Sequence, residues 1–463
     1  MTADAKKNYS MYVEIVNEMY RIVTASNNCA SPMASYQELF GQSLPRLIGT
    51  SSGGSLQVTE RIDNLIEKVS SILYENSGHT ETHSEEEYWK VVRAAFGDPL
   101  MQLDLTKNKE ALASDLKEAV IARVLSHFKA RVRVYAFSCS MFEEGKFEPF
   151  SIGPVSFSSR QSWITLSEQN KLIDVKTANR ARQRLKGEEL DVLGGVNAFY
   201  ERDLFELVLG PSRNVCSVTT QSLGLGTSEK RAAETANLAI TVLSLFEPSA
   251  SVFHRSSFLA YDTSPYLKKV MSFARDQKIL AGSSRSHYPP SSLDSEEFSK
   301  FLQRQQPELN VAGEALSYGV MSDDRASRPR ISHAIRTSLI WFRRGCIDND
   351  DRAAIVFFSA ALDALSPRGK LRGITDLVCQ TLGKKPTDAL WLDGPEIHKL
   401  LKDIYDQGRS RLIHGTSDRT NRDWSQLRKE AELVAKWCLL GALIFYAKRP
   451  ECDELEALSL PAT

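Results

Sequence analysis

Apolar and polar positions change rhythm twice along this chain. Through the first 130 residues the apolar ones recur every three or four positions. Tyr12, Val13, Ile15, Val16, Met19, Tyr20 and Val23 form one stripe, and Val58, Ile62, Leu65, Ile66, Val69 and Leu73 a second. This spacing predicts amphipathic helices with a Gly/Ser-rich loop at 49–55 between them. A polar stretch holding Glu85, Glu86 and Glu87 precedes a short helix. Leu112, Leu116, Ala119, Val120, Val124 and Phe128 mark another over about 108–129. At Arg131 the rhythm turns to alternation: RVRVYAFSCS and FSIGPVSFSS, joined across EEGKFEP, read as strands of a hairpin. A further strand pattern at 214–223 runs into a helix at 228–245, and the Ser/Pro-rich stretch 282–297 reads as a linker or long loop.

From about 308 the helical rhythm returns. Ile331, Ala334, Ile335, Ser338, Leu339 and Phe342 share a face; then come the capping-rich IDNDD and the apolar RAAIVFFSAALDAL. Further helices are expected around 374–382, over 395–414 with Pro395 in the first turn, and over 424–446. The fold class expected is therefore multidomain α+β: a helical N-terminal region (1–130), a mixed α/β middle region of sensor or regulatory type (131–307), an all-α C-terminal bundle (308–452) and a tail (453–463).

Composition narrows the classes. The 463 residues carry 58 basic and 58 acidic side chains, 42% apolar and 25% charged residues, as in an ordinary soluble globular protein. A net charge of zero argues against a chain that coats nucleic acid or lies on an anionic membrane. Seven dispersed cysteines without a C-x-x-C pair read as reduced thiols. With no long apolar run and no leader pattern, the expected location is cytoplasmic, with no membrane association. Charge is uneven locally. Residues 396–450 hold 11 basic and 7 acidic side chains, and Arg325, Arg328, Arg330, Arg336, Arg343 and Arg344 follow one another with no acid between. Such runs either guide an RNA backbone or form a solvated helix face.

Several candidate chemical motifs lack the context they need. Gly49-Thr50-Ser51-Ser52-Gly53 matches G-x-S-x-G, but a nucleophile elbow needs a strand before it and a helix directly after. Gly224-Leu225-Gly226 lies where phosphate-binding turns occur, yet a third glycine and a Walker lysine are missing, so a tight β-to-α turn is expected. His79 and His83 lack further zinc ligands, and Asp348, Asp350 and Asp351 are better read as helix caps than as a calcium loop. No metal and no cofactor is expected.

LKDIYDQGRSRLIHGT (401–416) is more informative. It sets Arg409 five residues before His414, with Arg411 between them and Gly415 behind as a helix terminator. An imidazole near the negative end of a helix and two guanidiniums are what phosphodiester chemistry needs: one moves a proton, the others neutralise charge on phosphate oxygens. On an ideal α-helix Arg409 and His414 point roughly 140° apart, so a common pocket requires a loosened last turn or two protomers. Gly408 costs this helix about 1 kcal/mol relative to alanine and leaves room for a close partner or an RNA backbone. Asp363 is the one charge in the apolar run 353–365. Two placements satisfy it: a buried pair with Arg409, Arg411 or His414, or a surface position beside Arg368.

SLIWFRRG (338–345), SAALDAL (359–365) and IYDQGRSRLIHG (404–415), in that order, resemble the HEPN superfamily and most closely its ApeA-like branch. The resemblance covers about a third of the chain. It meets the R-x4–6-H hallmark in Arg409 and His414, and has Asp363 where glutamate is common. It implies a metal-independent endoribonuclease acting as a homodimer through the bundle, often a toxin or an abortive-infection effector in bacterial defence against phage. His414 would then be the general acid or base, Arg409 the phosphate-positioning group, Arg411 an RNA contact, Asp363 a supporting residue, and Tyr405 a packing residue. Some HEPN domains only scaffold or bind RNA, which is the alternative. Residues 1–307 would then sense a phage-derived signal, bind a regulatory partner or restrain the nuclease.

Overall fold

The computed structural model describes residues 3–28, 39–40, 45–50, 53–80, 82–128, 132–143, 147–191, 196–209, 212–260, 268–274, 277–285, 295–321, 327–410 and 423–459. The chain is a mostly helical α+β protein and divides into two compact units, Met1–Val132 with Gln221–Lys230, and Arg133–Thr220 with Arg231–Thr463. Among the described residues no helix is long and apolar enough to cross a membrane.

The first unit contains α1 (Ala3–Asn28), the antiparallel pair β1 (Arg46–Gly49) and β2 (Ser55–Val58), α2 (Glu60–Glu75), α3 (Glu85–Met101) and α4 (Lys109–His127). Its helices start where a side chain can take an orphan amide: Thr59, Ser84 and Asn108 accept from the first turns of α2, α3 and α4. Tyr12 stacks on Phe96 with ring centroids 5.8 Å apart, at the centre of an apolar cluster. The 49–55 segment joins two short strands. G-x-S-x-G therefore leads into a strand rather than a helix, with Ser51 and Ser52 outside the described residues. Gly97 of α3 lies so close to β1 that an added Cβ would stand 2.2 Å from the Gly49 carbonyl oxygen.

His79 and His83 pack around Phe128, with centroids at 4.8 and 4.6 Å, as part of an aromatic cluster with Tyr88. The turn at Gly224 is closed from within this unit. Gly224 N–H donates to the Thr82 carbonyl at 3.0 Å, and Glu87 accepts from Gly226 N–H at 2.6 Å. A carboxylate thus takes the place at the helix start that a phosphate would need.

The second unit holds a five-stranded antiparallel sheet, β3 (Val132–Ser140), β4 (Phe150–Ile152), β5 (Val155–Ser159), β6 (Asn214–Gln221) and β7 (Phe258–Leu259), in the order β4-β5-β6-β3-β7. Helices α5 (Arg160–Gln169), α6 (Val175–Leu185) and α7 (Val196–Leu209) fill the chain between β5 and β6. They are followed by α8 (Leu225–Ser244), α9 (Ala250–Phe253) and a hairpin of β8 (Lys268–Ala274) with β9 (Gln277–Arg285). The linker expected over 282–297 is thus strand up to Arg285, and helix again from Ser295; 286–294 lies outside the described residues. Ladder hydrogen bonds are available to Ser-rich sequence whenever a partner strand lies alongside, so composition alone misled here.

The C-terminal part is helical: α10 (Ser295–Arg304), α11 (Gln306–Val320), α12 (Pro329–Ile347), α13 (Asp351–Leu365), α14 (Lys370–Leu382), α15 (Ile397–Lys402), a π-helical segment Asp403–Ser410, and α16 (Ser425–Ala447). Asp350 caps α13 by accepting from Arg352 N–H at 2.8 Å, as the IDNDD reading expects. Sheet and helices share one apolar cluster, in which Phe157 and Val218 belong with Leu316, Phe342, Phe358 and Leu439. The positive run 325–344 splits. Arg328 is buried and donates to Glu314 and to the Tyr446 and Arg449 carbonyls, and buried Arg336 pairs with Glu234 and Thr235. Arg330 and Arg344 are exposed, and Arg325 lies outside the described residues.

On α16 a charged stripe turns inward. Arg428 donates to the Gly345 carbonyl and to Asp351, Glu432 accepts from Ser251, and Lys436 donates to the Glu247 and Pro248 carbonyls. Two glycines let the sheet meet the helices: a Cβ on Gly313 of α11 would fall 2.8 Å from the Gly153 nitrogen and 2.9 Å from its Cα. Gly→Ala ordinarily stabilises a helix interior by about 1 kcal/mol. At Gly313 the contact is with backbone that has no rotamer to yield, and overpacking of about 1–3 kcal/mol outweighs the gain. Gly313→Ala should therefore lower the melting temperature in a thermal scan. A rise would show that the β4–β5 turn shifts freely off α11.

Candidate functional site

The site is built where α13 ends. This helix is apolar nearly all round, and Ala354, Ile355, Phe358, Leu362 and Leu365 are buried along one side. Asp363, two residues before its C-terminus, retains a little under a fifth of its side-chain exposure. The chain then turns through Gly369 and Lys370, both with φ of +57°, and enters α14. Lys370 carries the Cβ strain of the left-handed region, where glycine is the usual residue.

Within the stretch 395–414, expected as one α-helix, Ile397–Lys402 is α-helical and Asp403–Ser410 is π-helical, while 411–414 lies outside the described residues. The wider π turn closes i→i+5 hydrogen bonds, and such turns recur at functional sites. Gly408 makes the packing possible: it is buried, and an added Cβ would stand 2.4 Å from Ile355 Cγ2. The close partner its smallness admits is therefore a side chain of α13.

This packing brings Arg409 to Asp363. The guanidinium Nη1 donates to Asp363 Oδ2, and the Arg409 side chain retains about a third of its exposure. Tyr405, one turn earlier, lies under the same guanidinium, with Cζ 5.2 Å from the ring centroid. Arg368, the surface alternative, is exposed and lies 3.9 Å from Asp376 instead. Of the sequence-derived site residues, Arg409 and Asp363 are thus brought together, and Arg411 and His414 lie outside the described residues, as does Gly415. Tyr405 does more than pack its helix. Its i, i+4 spacing to Arg409 was the available signal.

Burial is the largest influence on Asp363 and pushes its carboxyl above the ordinary value. The Arg409 charge, the Arg409 hydrogen bond and the Lys370 backbone N–H pull the other way without prevailing. The arrangement can hold a guanidinium in fixed orientation, and among the described residues its remaining N–H groups have no other acceptor and could meet an anion.

The direction of that shift sets a testable sign. A carboxyl whose folded-state value is raised supports folding in its neutral form, and that support is lost as pH rises through the raised value. Asp363→Asn keeps the neutral form at every pH. Thermal scans should therefore find this variant at least as stable as the parent at pH 7.5, the margin shrinking as pH falls through the carboxylate range. A variant clearly less stable at pH 7.5 would mean that the pair with Arg409 outweighs the burial cost. Comparison with protein-family models, with curated proteins and with solved structures gives no match to this chain.

Proposed function

We propose that this chain is a HEPN-type, metal-independent endoribonuclease of the cytoplasm, a toxin or abortive-infection effector in bacterial defence against phage. The observation that carries the reading is the Arg409–Asp363 pair. Two residues 46 positions apart, each marked by a different segment of the HEPN resemblance, meet at a partly open edge of the helical part, on a segment leading into R-x4-H.

In the proposed reaction the ribose 2′-oxygen bonds to the adjacent phosphorus and the bond from phosphorus to the 5′-oxygen breaks. The products are a 2′,3′-cyclic phosphate and a 5′-hydroxyl. The 2′-hydroxyl proton leaves to a base, and the 5′-oxygen takes one from an acid. His414 serves one of these roles, and His414 of a second copy serves the other. Arg409, held by Asp363 and Tyr405, neutralises charge on the nonbridging oxygens, and Arg411 contacts the strand. A second copy is supported by α13 itself. Val356, Phe357, Ala360 and Ala364 remain half-exposed on its outer side, where Phe357 stacks on Trp341 at 5.8 Å.

Purified protein is expected to cleave RNA in EDTA and to leave cyclic-phosphate ends. Arg409→Ala should lower kcat/KM by roughly 10²–10³ and His414→Ala by roughly 10²–10⁴, with unchanged circular dichroism. RNA left intact by the parent, with His414→Ala altering only association, would favour the scaffold reading. Light scattering should give a dimer that Phe357→Glu converts to an inactive monomer; an active strict monomer would exclude the composite site.

A further inference from the structure

We propose that the hairpin between α14 and α15 is a docking knob, and that Leu392 of one copy seats in a recess on the outer side of α12 and α13 of a second copy. This deepens the second-copy part of the nuclease reading; the docking itself does not require that RNA be cut. Three observations carry it, and the first is how Leu392 is presented. It is 91% exposed, more than any other large apolar side chain among the described residues. It holds the second position of a four-residue turn, closed by Gly394 N–H donating to the Trp391 carbonyl at 2.9 Å. Asp393, next in the turn, has φ of +58°, the left-handed conformation that a turn of this kind requires there. An added Cβ on Gly394 would stand 2.6 Å from Trp391 Nε1, so the indole lies back across the turn and Leu392 alone projects.

The stem of the hairpin is tied down. Leu390 N–H donates to the Pro395 carbonyl at 3.0 Å and Ile397 N–H to the Asp388 carbonyl at 3.0 Å. Lys384 Nζ donates to the Ala389 and Leu390 carbonyls at 2.6 and 2.9 Å. One exposed leucine is ordinary on a protein surface. A leucine held out on a fixed stem differs, because the backbone that carries it has little freedom left to lose on docking.

The second observation is a surface of this same chain that such an anchor fits. Thr337 and Trp341 of α12 and Phe357, Ala360 and Ala364 of α13 are all only half-buried. Trp341 stacks on Phe357 at 5.8 Å, and Ser338 Oγ donates to the Ala361 carbonyl at 2.8 Å, which fixes the register of the two helices. The aromatic pair therefore stands at one level, with the small side chains Thr337 and Ala360 about one turn away. A low step beside a tall aromatic pair leaves room for one branched aliphatic side chain.

The third observation is charge. Exposed side chains of 385–396 include Asp388, Asp393 and Glu396 against Lys385 alone. Along 337–347 and 353–364 the charged residues are Arg343, Arg344 and Asp363, and Asp363 is taken by Arg409. Arg344 is exposed at the rim, with Cζ 5.0 Å from the Trp341 ring centroid. An acidic hairpin thus meets a basic rim, the match that steers and orients two proteins. Under twofold symmetry each hairpin enters the other copy's recess. Ala360 precedes Asp363 by about one turn, so a docked hairpin lies beside the Arg409 pair.

The test uses the full chain. Sedimentation equilibrium should give a dimer whose dissociation constant rises roughly 10²-fold in Leu392→Asp, two leucines being lost at once, with unchanged circular dichroism. With the photocrosslinker p-benzoylphenylalanine at position 392, and ordinary chains mixed with isotope-labelled ones, irradiation should join it to peptides of the other copy within 337–364. Arg344→Glu should weaken association, and adding Asp393→Lys with Glu396→Lys should restore it. A monomeric parent, an unchanged dissociation constant in Leu392→Asp, a crosslink confined to one chain or to other peptides, or charge reversals that fail to restore association would each overturn the docking. If Phe357→Glu breaks the dimer and Leu392→Asp does not, α13 packs on α13 and the docking falls while the nuclease reading stands. A parent that dimerises through Leu392 and leaves RNA intact overturns the nuclease reading alone.

Discussion

A carboxylate at the end of an apolar helix has to be answered by a cation, and much of the C-terminal part follows from that requirement. Asp363 belongs to α13, where Ser359 is the one other polar side chain along the run and no cation is present. An unpaired ion in such surroundings costs several kcal/mol, of order the whole stability of a domain. The answer comes from Arg409, and reaching it imposes conditions: a glycine at 408 to let the segment close on Ile355, a π register to aim the side chain, and a ring at 405 beneath the guanidinium. The arginine is thus oriented by the fold itself, with its rotamer freedom already spent.

Legibility in the sequence followed the length and contrast of the apolar pattern. α12, α13 and α16 are long, and each buries a stripe at helical spacing, so 331–342, 353–365 and 424–446 were readable. β1 was not, being four residues with Leu47 exposed. α6 was hidden for another reason: it buries only Ala178 and Ala181, so its stripe lacks the large side chains that make a period visible. At the site, residue types were readable and geometry was not. Arg409 and Asp363 stood out by chemistry, but Arg368 was an equal partner on local grounds, and only packing between distant segments separates the two. Composition carries no mark that distinguishes i→i+5 from i→i+4 bonding.

Charge was the other misleading signal, because it is used inside as well as outside. Arg328 and Arg336 read as part of a positive surface and instead serve Glu314, Glu234 and backbone carbonyls. The α16 stripe obeys the same economy. Arg428 addresses carbonyls at the end of α12, Lys436 addresses carbonyls of the loop after α8, and Glu432 takes the Ser251 amide at the start of α9, each matching sign to the partial charge it meets. A net charge of zero therefore conceals internal pairing as well as opposed surfaces.

The Glu87 contact with Gly226 sets an order in time. The first unit is not complete when residue 132 leaves the ribosome, because Gln221–Lys230 belongs to it and supplies the amide that Glu87 needs. At 5–20 residues per second, that segment emerges on the order of 5–20 s later. For that interval Glu87 has its capping contacts with Ser84 but not the Gly226 amide, and the Thr82 carbonyl lacks its Gly224 donor, while the strands of the sheet are being made. Birth of the second unit thus begins before the first has closed, and the first closes while more than half of the second is still to be made.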